Sequence, residues 1–541
     1  MPFLKRNKDG GYSTFIVLAL IAILYFTFNN QRYFVDGISD ANLINNSTTI
    51  FIHPNHPLWP LFPQILFKIG FPFFTSYPSL YLVQIVSIMG GVFTLATFLY
   101  LLHSVNLKPV TVIACALLFS FSSGVWFFST TPNQYSTALF LSTLVLVFLS
   151  QFELNLRKKT DWGLILKASI IAGIGVLFHQ INIFLIFPLA HSFSKKSPSS
   201  DRKSRLVSFA GGSAVMLAVV FFGMVLAALF SGNLNSISDF ISWQKSYVVH
   251  PQYWANDFID SISRTFRGII ETHISHGFHP EGLFGDWSAG SGSILIRICQ
   301  VAVLIFFFYI TIHALYDYLT NKIHRNYQTL GLSLVFPLLI FSFFFTPESP
   351  NYRIFYLPAY FLFIAPWIEN TFALDTFSFR RAAPLFLVIA MLFTSNFLIR
   401  FLPESNPGNN PYISEALRLG AFVSGGDLVI VSSSSDDYIR SVYIPYFTGA
   451  ETSMIHEVYL RSLEDRYKLF SSFDEIYSSG GKILIHEDAV HFEEDADWVK
   501  KFYGVDINPD DLDKLLFTNT SPGEDYLING KLYIELIPSL H

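Results

Sequence analysis

The chain has 541 residues, of which 51% are hydrophobic and only 14% charged, and it contains 58 Phe. An average soluble domain carries about 25% charged residues, so this composition excludes an ordinary soluble chain and points to a polytopic membrane protein. The formal net charge of −5 conceals an asymmetry. Acidic residues gather toward the C-terminal end while Lys and Arg cluster in short loops between apolar runs, which argues against nucleic acid as a partner.

In chain order, Tyr12 to Phe28 follows Lys5, Arg6 and Lys8 and has no small-residue cleavage site after it, so it reads as a retained first span. Residues 33–60 come next and pack two carboxylates, Asp36 and Asp40, with two histidines in His53-Pro-Asn-His56-Pro-Leu-Trp59-Pro60. Gly37 and the prolines favour turns and extended backbone, so this segment is expected to be a shaped loop holding Asp36 where the first helix leaves the bilayer. Further apolar runs long enough to span hydrocarbon, for which about 20 residues is the norm, lie near 78–103, 109–128, 132–152, 207–231, 294–320, 329–346, 353–370 and 383–402. Cys115 and Cys299 fall inside such runs and read as small core residues rather than a disulfide framework.

Residues 163–192 are too long for one upright helix, and charge decides their path. The basic loops at Lys108, Arg157 to Lys159, Lys322 to Arg325 and Arg380-Arg381 should face the cytoplasm with the N-terminus, and so should Lys195 to Arg205. The last of these shares a side with the Arg157 loop only if 163–192 crosses twice, as two short helices meeting at His179 on the outer face. The expected fold is therefore a helical membrane protein of about eleven spans, residues 1–402, with outer loops 29–77 and 232–293. After Pro403 the composition shifts to a soluble stretch, 403–541, in which Asp427 to Ser432, Thr452 to His456 and Lys482 to His486 read as short buried strands. Helical patterns lie between them at 437–446, 459–479 and 489–502, so a small extracytoplasmic α/β domain is expected. The Gly425-Gly426 and Ser432 to Ser435 turns lack the full spacing of a dinucleotide or P-loop fingerprint.

On this topology Asp36, Asp40, His53, His56, His179 and Glu348 to Arg353 converge on one membrane face. Asp36 suits a general base toward an acceptor hydroxyl or a ligand to a metal beside phosphate, and equally an ordinary loop aspartate capping Gly37. Asp40 is its natural helper if a short helix begins at Ser39, and otherwise a first-turn charge. His53 and His56 sit on rigid backbone suited to a proton relay or phosphate contact, while two histidines are too few to define a metal site. His273, His276 and His279 read more readily as solvated loop histidines than as metal ligands. Arg353, beside Tyr352 in Pro350-Asn-Tyr-Arg-Ile-Phe-Tyr-Leu-Pro358, is suited to grip a lipid phosphate or to snorkel to the interface. Asn46-Ser-Thr48 is a glycosylation sequon of a kind that arises often by chance.

Taken together, Val35-Asp36-Gly-Ile-Ser39, His53 through Pro60, Val125-Trp126 through Asn133-Gln-Tyr135, Gly175 through His179 and Tyr352 through Tyr360 resemble the GT-C superfamily of integral membrane glycosyltransferases. The likeness is to its protein mannosyltransferases and bacterial lipid-linked sugar transferases, and it covers residues 12–370. It implies inverting transfer of a sugar from a polyprenyl- or dolichyl-phosphate donor to a glycan, lipid or protein acceptor outside the cell membrane. It also implies Asp36 as the catalytic carboxylate, Arg353 as a phosphate contact, and His53 and His56 lining the site. No cofactor is required, and a divalent ion, Mg or Mn, is compatible with the chemistry. A transporter or flippase would instead show inverted repeats and charges near the midplane. A ligase or polymerase of lipid-linked glycans shares the carrier, and a non-catalytic scaffold would leave Asp36 incidental.

Overall fold

The computed structural model describes residues 8–46, 52–70, 77–155, 161–194, 202–231, 236–245, 254–255, 257–275, 291–320, 325–372, 379–432, 435–454, 463–490 and 520–538. It divides into two compact units, one formed by Met1–Asn30 with Ser47–Ser405 and the other by Gln31–Asn46 with Asn406–His541. Sequence places the domain boundary at 402/403; the structure moves it slightly and transfers the short segment 31–46 to the C-terminal unit.

In the first unit every expected apolar run is helical in whole or in part. Among the described residues six helices are long and apolar enough to cross a membrane: Pro78–Ser104, Tyr135–Leu154, Leu206–Phe230, Ile294–Thr320, Asn326–Phe344 and Arg380–Glu404. A seventh span results if Pro109–Phe121 and Ser123–Thr130, bent by 67° at their junction, are taken as one. Among the described residues length and composition do not confirm the expected count of eleven, because several runs are short or broken. Gly11–Thr27 and Trp162–Phe178 are short apolar helices, and Leu357–Thr371 has 15 residues. Residues 163–192 do break at His179, which is extended at φ −163° and ψ 127° and leads into a 3-10 turn, Gln180–Leu185, before the Ile186–Ser194 helix.

Close helix contact explains the packing at the centre. A Cβ on Gly90 would lie 2.6 Å from Thr137 Oγ1, and one on Gly91 would lie 2.5 Å from Ser129 Oγ. Helices in lipid gain little from hydrophobic exclusion of each other, so small residues that admit close approach and hydroxyls that bond across the gap take over. Thr94 Oγ1 donates to Ser136 O at 3.0 Å and Ser87 Oγ to Asn133 O at 2.8 Å. Asn133 in turn shapes the corner before Tyr135, donating to Phe128 O at 2.8 Å and Thr131 O at 2.6 Å while its Oδ1 accepts from Tyr135 N at 2.7 Å. The Leu357–Thr371 helix is buried from Leu357 to Ile368 and so packs inside the helical unit.

The C-terminal unit is a five-stranded sheet of β1 (Leu428–Val431), β2 (Glu451–Met454), β3 (Ile483–His486), β4 (Thr520–Ile528) and β5 (Lys531–Pro538), ordered β2-β1-β3-β5-β4. β2, β1 and β3 run parallel, and β5 and β4 continue antiparallel. Helices Ser435–Thr448 and Leu463–Ser478 fall where the sequence places them. The expected 489–502 helix lies outside the described residues, apart from the last two of Glu487–Val490. The β4–β5 hairpin escaped the sequence reading, although its turn is Asn529-Gly530 with φ of 53° and 80°. An Asn-Gly pair between alternating apolar residues is a strong hairpin signal, because both positions tolerate positive φ.

Segment 31–46 is held by this same unit. Tyr443 Oη donates to Tyr33 O at 2.9 Å and Asn410 Nδ2 to Gln31 O at 2.8 Å. Ile38, Ala41 and Ile44 of the Val35–Asn46 helix are buried.

Candidate functional site

Asp36 does not sit in a loop. It lies in the first turn of Val35–Asn46, where the free amide groups and helix dipole favour a carboxylate. Because the helix begins at Val35 rather than Ser39, Asp36 and Asp40 are four residues apart on one face. Asp36 is half-buried and Asp40 is 3% exposed.

The other candidates belong to the membrane unit, where the structure gathers three imidazoles. The His53 and His56 rings are stacked, 3.8 Å between centroids. His53 Nδ1 accepts from Asn55 N at 3.1 Å, which the tight turn between Pro54 and Pro57 makes possible. Two bonds tie this turn to the break at His179: Gln180 Nε2 donates to Asn55 Oδ1 at 3.0 Å, and Leu58 N to Leu177 O at 3.2 Å. His179 Nδ1 accepts from Ile181 N at 3.1 Å, which assigns its ring proton to Nε2. Burial pushes His53 down to about 4. His56 is held well below the ordinary histidine value, first by burial and then by His53 and His179. Both shifts favour the neutral imidazole, in which one ring nitrogen donates and the other accepts.

Aromatic residues complete the cluster. Tyr135 lies 4.9 Å from His179 between ring centroids and its hydroxyl accepts from Asn351 Nδ2 at 3.0 Å. Tyr352 meets His179 edge-on at 5.9 Å. Tyr352 also contacts Phe341, at 5.9 Å, and Phe341 lines an apolar crevice of about 510 Å³ together with Phe184, Trp254, Phe336, Pro337 and Phe344. The cluster thus adjoins, through the Tyr352–Phe341 ring contact, a crevice walled by hydrocarbon and aromatic side chains. Sequence reasoning missed Tyr135's role, Asn351, Asn55 and the groove. The aromatic density of 336–345 was visible, but nothing in it marks a groove rather than a packed core.

Arg353 is brought near this region in a different state from either expectation. It does not snorkel: it is fully buried, with Nη1 donating to Ser349 O at 2.8 Å and Nη2 to Ser342 O at 3.1 Å, while Nε has no hydrogen-bond partner. Its sequence neighbour Glu348 pairs instead with Arg264, at 2.6 Å. Although burial opposes ionisation of Glu348, the Arg264 contact holds it below the usual carboxylate range. His273 is buried, stacked on Phe307 at 4.1 Å, with Nδ1 3.3 Å from Ser122 Oγ, as a packed core histidine would be. His276, His279 and the second and third residues of the Asn46 sequon lie outside the described residues.

Residues 69–201 match the family model for the Protein O-mannosyl-transferase TMEM260 N-terminal domain. No curated protein sequence matches the chain. Among solved structures, ArnT from Cupriavidus metallidurans in the apo state superposes with a TM-score of 0.56 at 8% identity, covering 98% of each chain. The same protein bound to undecaprenyl phosphate gives 0.56 at 9% identity, over 96% of this chain and 97% of that one. The archaeal oligosaccharyltransferase AglB from Archaeoglobus fulgidus, in complex with an inhibitory peptide and a dolichol-phosphate, gives 0.52 at 12% identity, over 97% of this chain and 74% of that one. Residues 69–201 are thus similar in sequence to a protein O-mannosyltransferase domain, and the chain shares over nearly its whole length the fold of these solved structures.

Proposed function

We propose that the protein transfers a sugar from a polyprenyl- or dolichyl-phosphate carrier to an acceptor hydroxyl on the outer face of the membrane, with inversion at the anomeric carbon. The observation that carries this reading is the apolar crevice lined by Phe341, whose ring meets that of Tyr352, itself in contact with His179. A prenyl chain requires an apolar groove that opens to lipid, and its phosphate-linked sugar requires polar groups at one end of that groove. The fold's likeness to proteins solved with undecaprenyl phosphate and dolichol-phosphate supports the same donor class.

In the proposed step an acceptor oxygen forms a bond to the anomeric carbon while the bond from that carbon to the carrier phosphate breaks, and the phosphate leaves with the electron pair. The acceptor proton passes to Asp36, the general base, and Asp40 on the same helix face holds it in place. His53, His56, His179 and Tyr352 serve the donor head group as neutral hydrogen-bonding partners. Arg353 shapes the 342–353 turn behind Tyr352, a positioning part that replaces direct phosphate contact. A divalent ion such as Mg2+ or Mn2+ would assist the departing phosphate. Among the described residues Asp36 and Asp40 belong to no group of three metal-ligating side chains, so the steps proposed here run through the carboxylate alone.

The test is transfer by the purified, membrane-reconstituted protein from a panel of polyprenyl-phosphate sugars. Asp36→Asn should lose on the order of 10² to 10⁴-fold in rate, the usual contribution of general-base catalysis. Full activity in Asp36→Asn removes that residue from the mechanism, and absence of transfer by the wild type from every lipid-phosphate donor overturns the reading itself.

A further inference from the structure

We propose that the C-terminal sheet carries a zinc site, formed by Asp437, His486 and Asp488 at the carboxyl ends of its parallel strands. β1 ends at Val431 and β3 at His486, side by side. Open α/β sheets bind ligands just beyond this edge, where the strands stop and the following loops diverge.

His486 carries the argument. It is completely buried; Nε2 has no hydrogen-bond partner, and Nδ1 has no carboxylate nearer than 3.5 Å. A buried polar atom left unpaired is costly, and native structures almost always satisfy such groups. Its Nδ1 points at two carboxylates, 3.5 Å from Asp437 Oδ2 and 3.6 Å from Asp488 Oδ2. These separations are too long for good hydrogen bonds to an imidazolium. They suit ligands around one ion: metal bonds of about 2.0–2.2 Å in a tetrahedron put the ligand atoms roughly 3.3–3.6 Å apart. All three donor atoms lie within 4.8 Å of one another, and this is the only such trio of metal-ligating side chains among the described residues.

The surroundings fix the ligands in place. Arg440 Nη1 donates to Asp437 Oδ1, and Ser432 N donates to Oδ2 at 2.6 Å. Arg440 Nε bonds Glu415 Oε1 at 2.9 Å, and the Tyr533 hydroxyl donates to that same oxygen. Outer partners of this kind orient metal ligands and are part of a site's design. Lys531 Nζ touches Asp488 Oδ2 at 3.2 Å, and the Asp488 side chain is 40% exposed, which gives an ion a route in. Three carboxylates against Arg440 and Lys531 leave one formal negative charge, so a cation is favoured there. One nitrogen and two oxygen donors suit zinc, with a fourth position open to water.

The test uses the full-length chain purified after chelation, loaded with Zn2+ and freed of unbound metal. Retained zinc, measured by elemental analysis, should fall by about one equivalent per chain in His486→Gln and in Asp488→Asn relative to wild type. Loading with Co2+ should give visible absorption bands that both variants lose. Because Asp488 is partly exposed, Asp488→Asn keeps the test alive if His486→Gln fails to fold. Equal metal content in wild type and Asp488→Asn overturns the site, as does a Co2+ spectrum that Asp488→Asn leaves unchanged.

Discussion

The rings of His53 and His56 lie face to face, 3.8 Å apart and 7° from parallel. Two stacked imidazoles cannot both be protonated without repulsion, and burial alone brings His53 down to about 4. In the unfolded chain each histidine titrates near 6.5. Between about pH 6.5 and 4 the unfolded state therefore binds more protons, so stability falls as pH falls through that window. The apparent melting temperature in detergent should drop over that range. A His53→Asn, His56→Asn double variant should show a shallower drop; an unchanged slope would mean that the pair is not held neutral.

Arg353 differs from a surface phosphate clamp because two of its nitrogens already serve main-chain carbonyls of Ser349 and Ser342. Arg353→Met keeps much of the volume and removes both bonds. Each orphaned buried carbonyl costs roughly 1–3 kcal/mol. The expected outcome is a clear fall in thermal stability, with donor affinity in the surviving folded fraction changed far less. A stable variant with greatly weakened donor binding would restore direct phosphate contact.

Gly268 faces the same guanidinium. A Cβ there would lie 2.6 Å from Arg353 Nη1 and 2.6 Å from Pro347 O, and the carbonyl cannot swing away as a flexible side chain could. Gly268→Ala should therefore destabilise by about 1–3 kcal/mol, the usual cost of overpacking, despite the gain in helix propensity. A melting temperature at or above wild type would contradict the packing.

How far these features were legible in the sequence follows from their range. The apolar runs and the three parallel strands are local patterns, and they appear close to where periodicity puts them. The bend at Ser122 went unread although Ser120, Ser122, Ser123 and Gly124 interrupt the apolar run 109–128; the break rests on one extended residue, φ −60° and ψ 131°. The break at His179 was legible through charge sidedness, an argument that uses loops on both sides. Asp36 and its neighbours were identified by type, but the helix beginning at Val35 was not, because Gly37 argues for a turn. Arg353's burial depends on Gly268 and on carbonyls of the segment before it, and no spacing rule links those positions.

Sidedness remains a prediction of the charge pattern. A reporter fused after Arg205 should register the cytoplasm, and one after Pro403 the outer face. Opposite results at both positions would mean that 163–192 crosses only once, because every later span then reverses.

The segment carrying Asp36 is fixed by residues some 400 positions later, which gives the C-terminal unit a part in the proposed chemistry beyond acceptor choice. Tyr443 is 1% exposed and donates to Tyr33 O at 2.9 Å, three residues before Asp36. Its buried ring also packs against Tyr412 at 5.7 Å, so the ring can stay in place when the hydroxyl is removed. Tyr443→Phe therefore deletes the bond to Tyr33 O and the 3.3 Å bond its hydroxyl accepts from Asn410 Nδ2, each worth about 1 kcal/mol, with little loss of packing. If the bond to Tyr33 O sets the start of the Val35–Asn46 helix, the variant should fold normally and lose transfer rate several-fold, with donor KM little changed, because the general base is displaced while the donor's groups are untouched. The discriminating measurement is the split between kcat and donor KM, and it should be compared with Tyr33→Phe, which keeps the accepting carbonyl. Unchanged kcat in Tyr443→Phe would show that the C-terminal unit does not position Asp36.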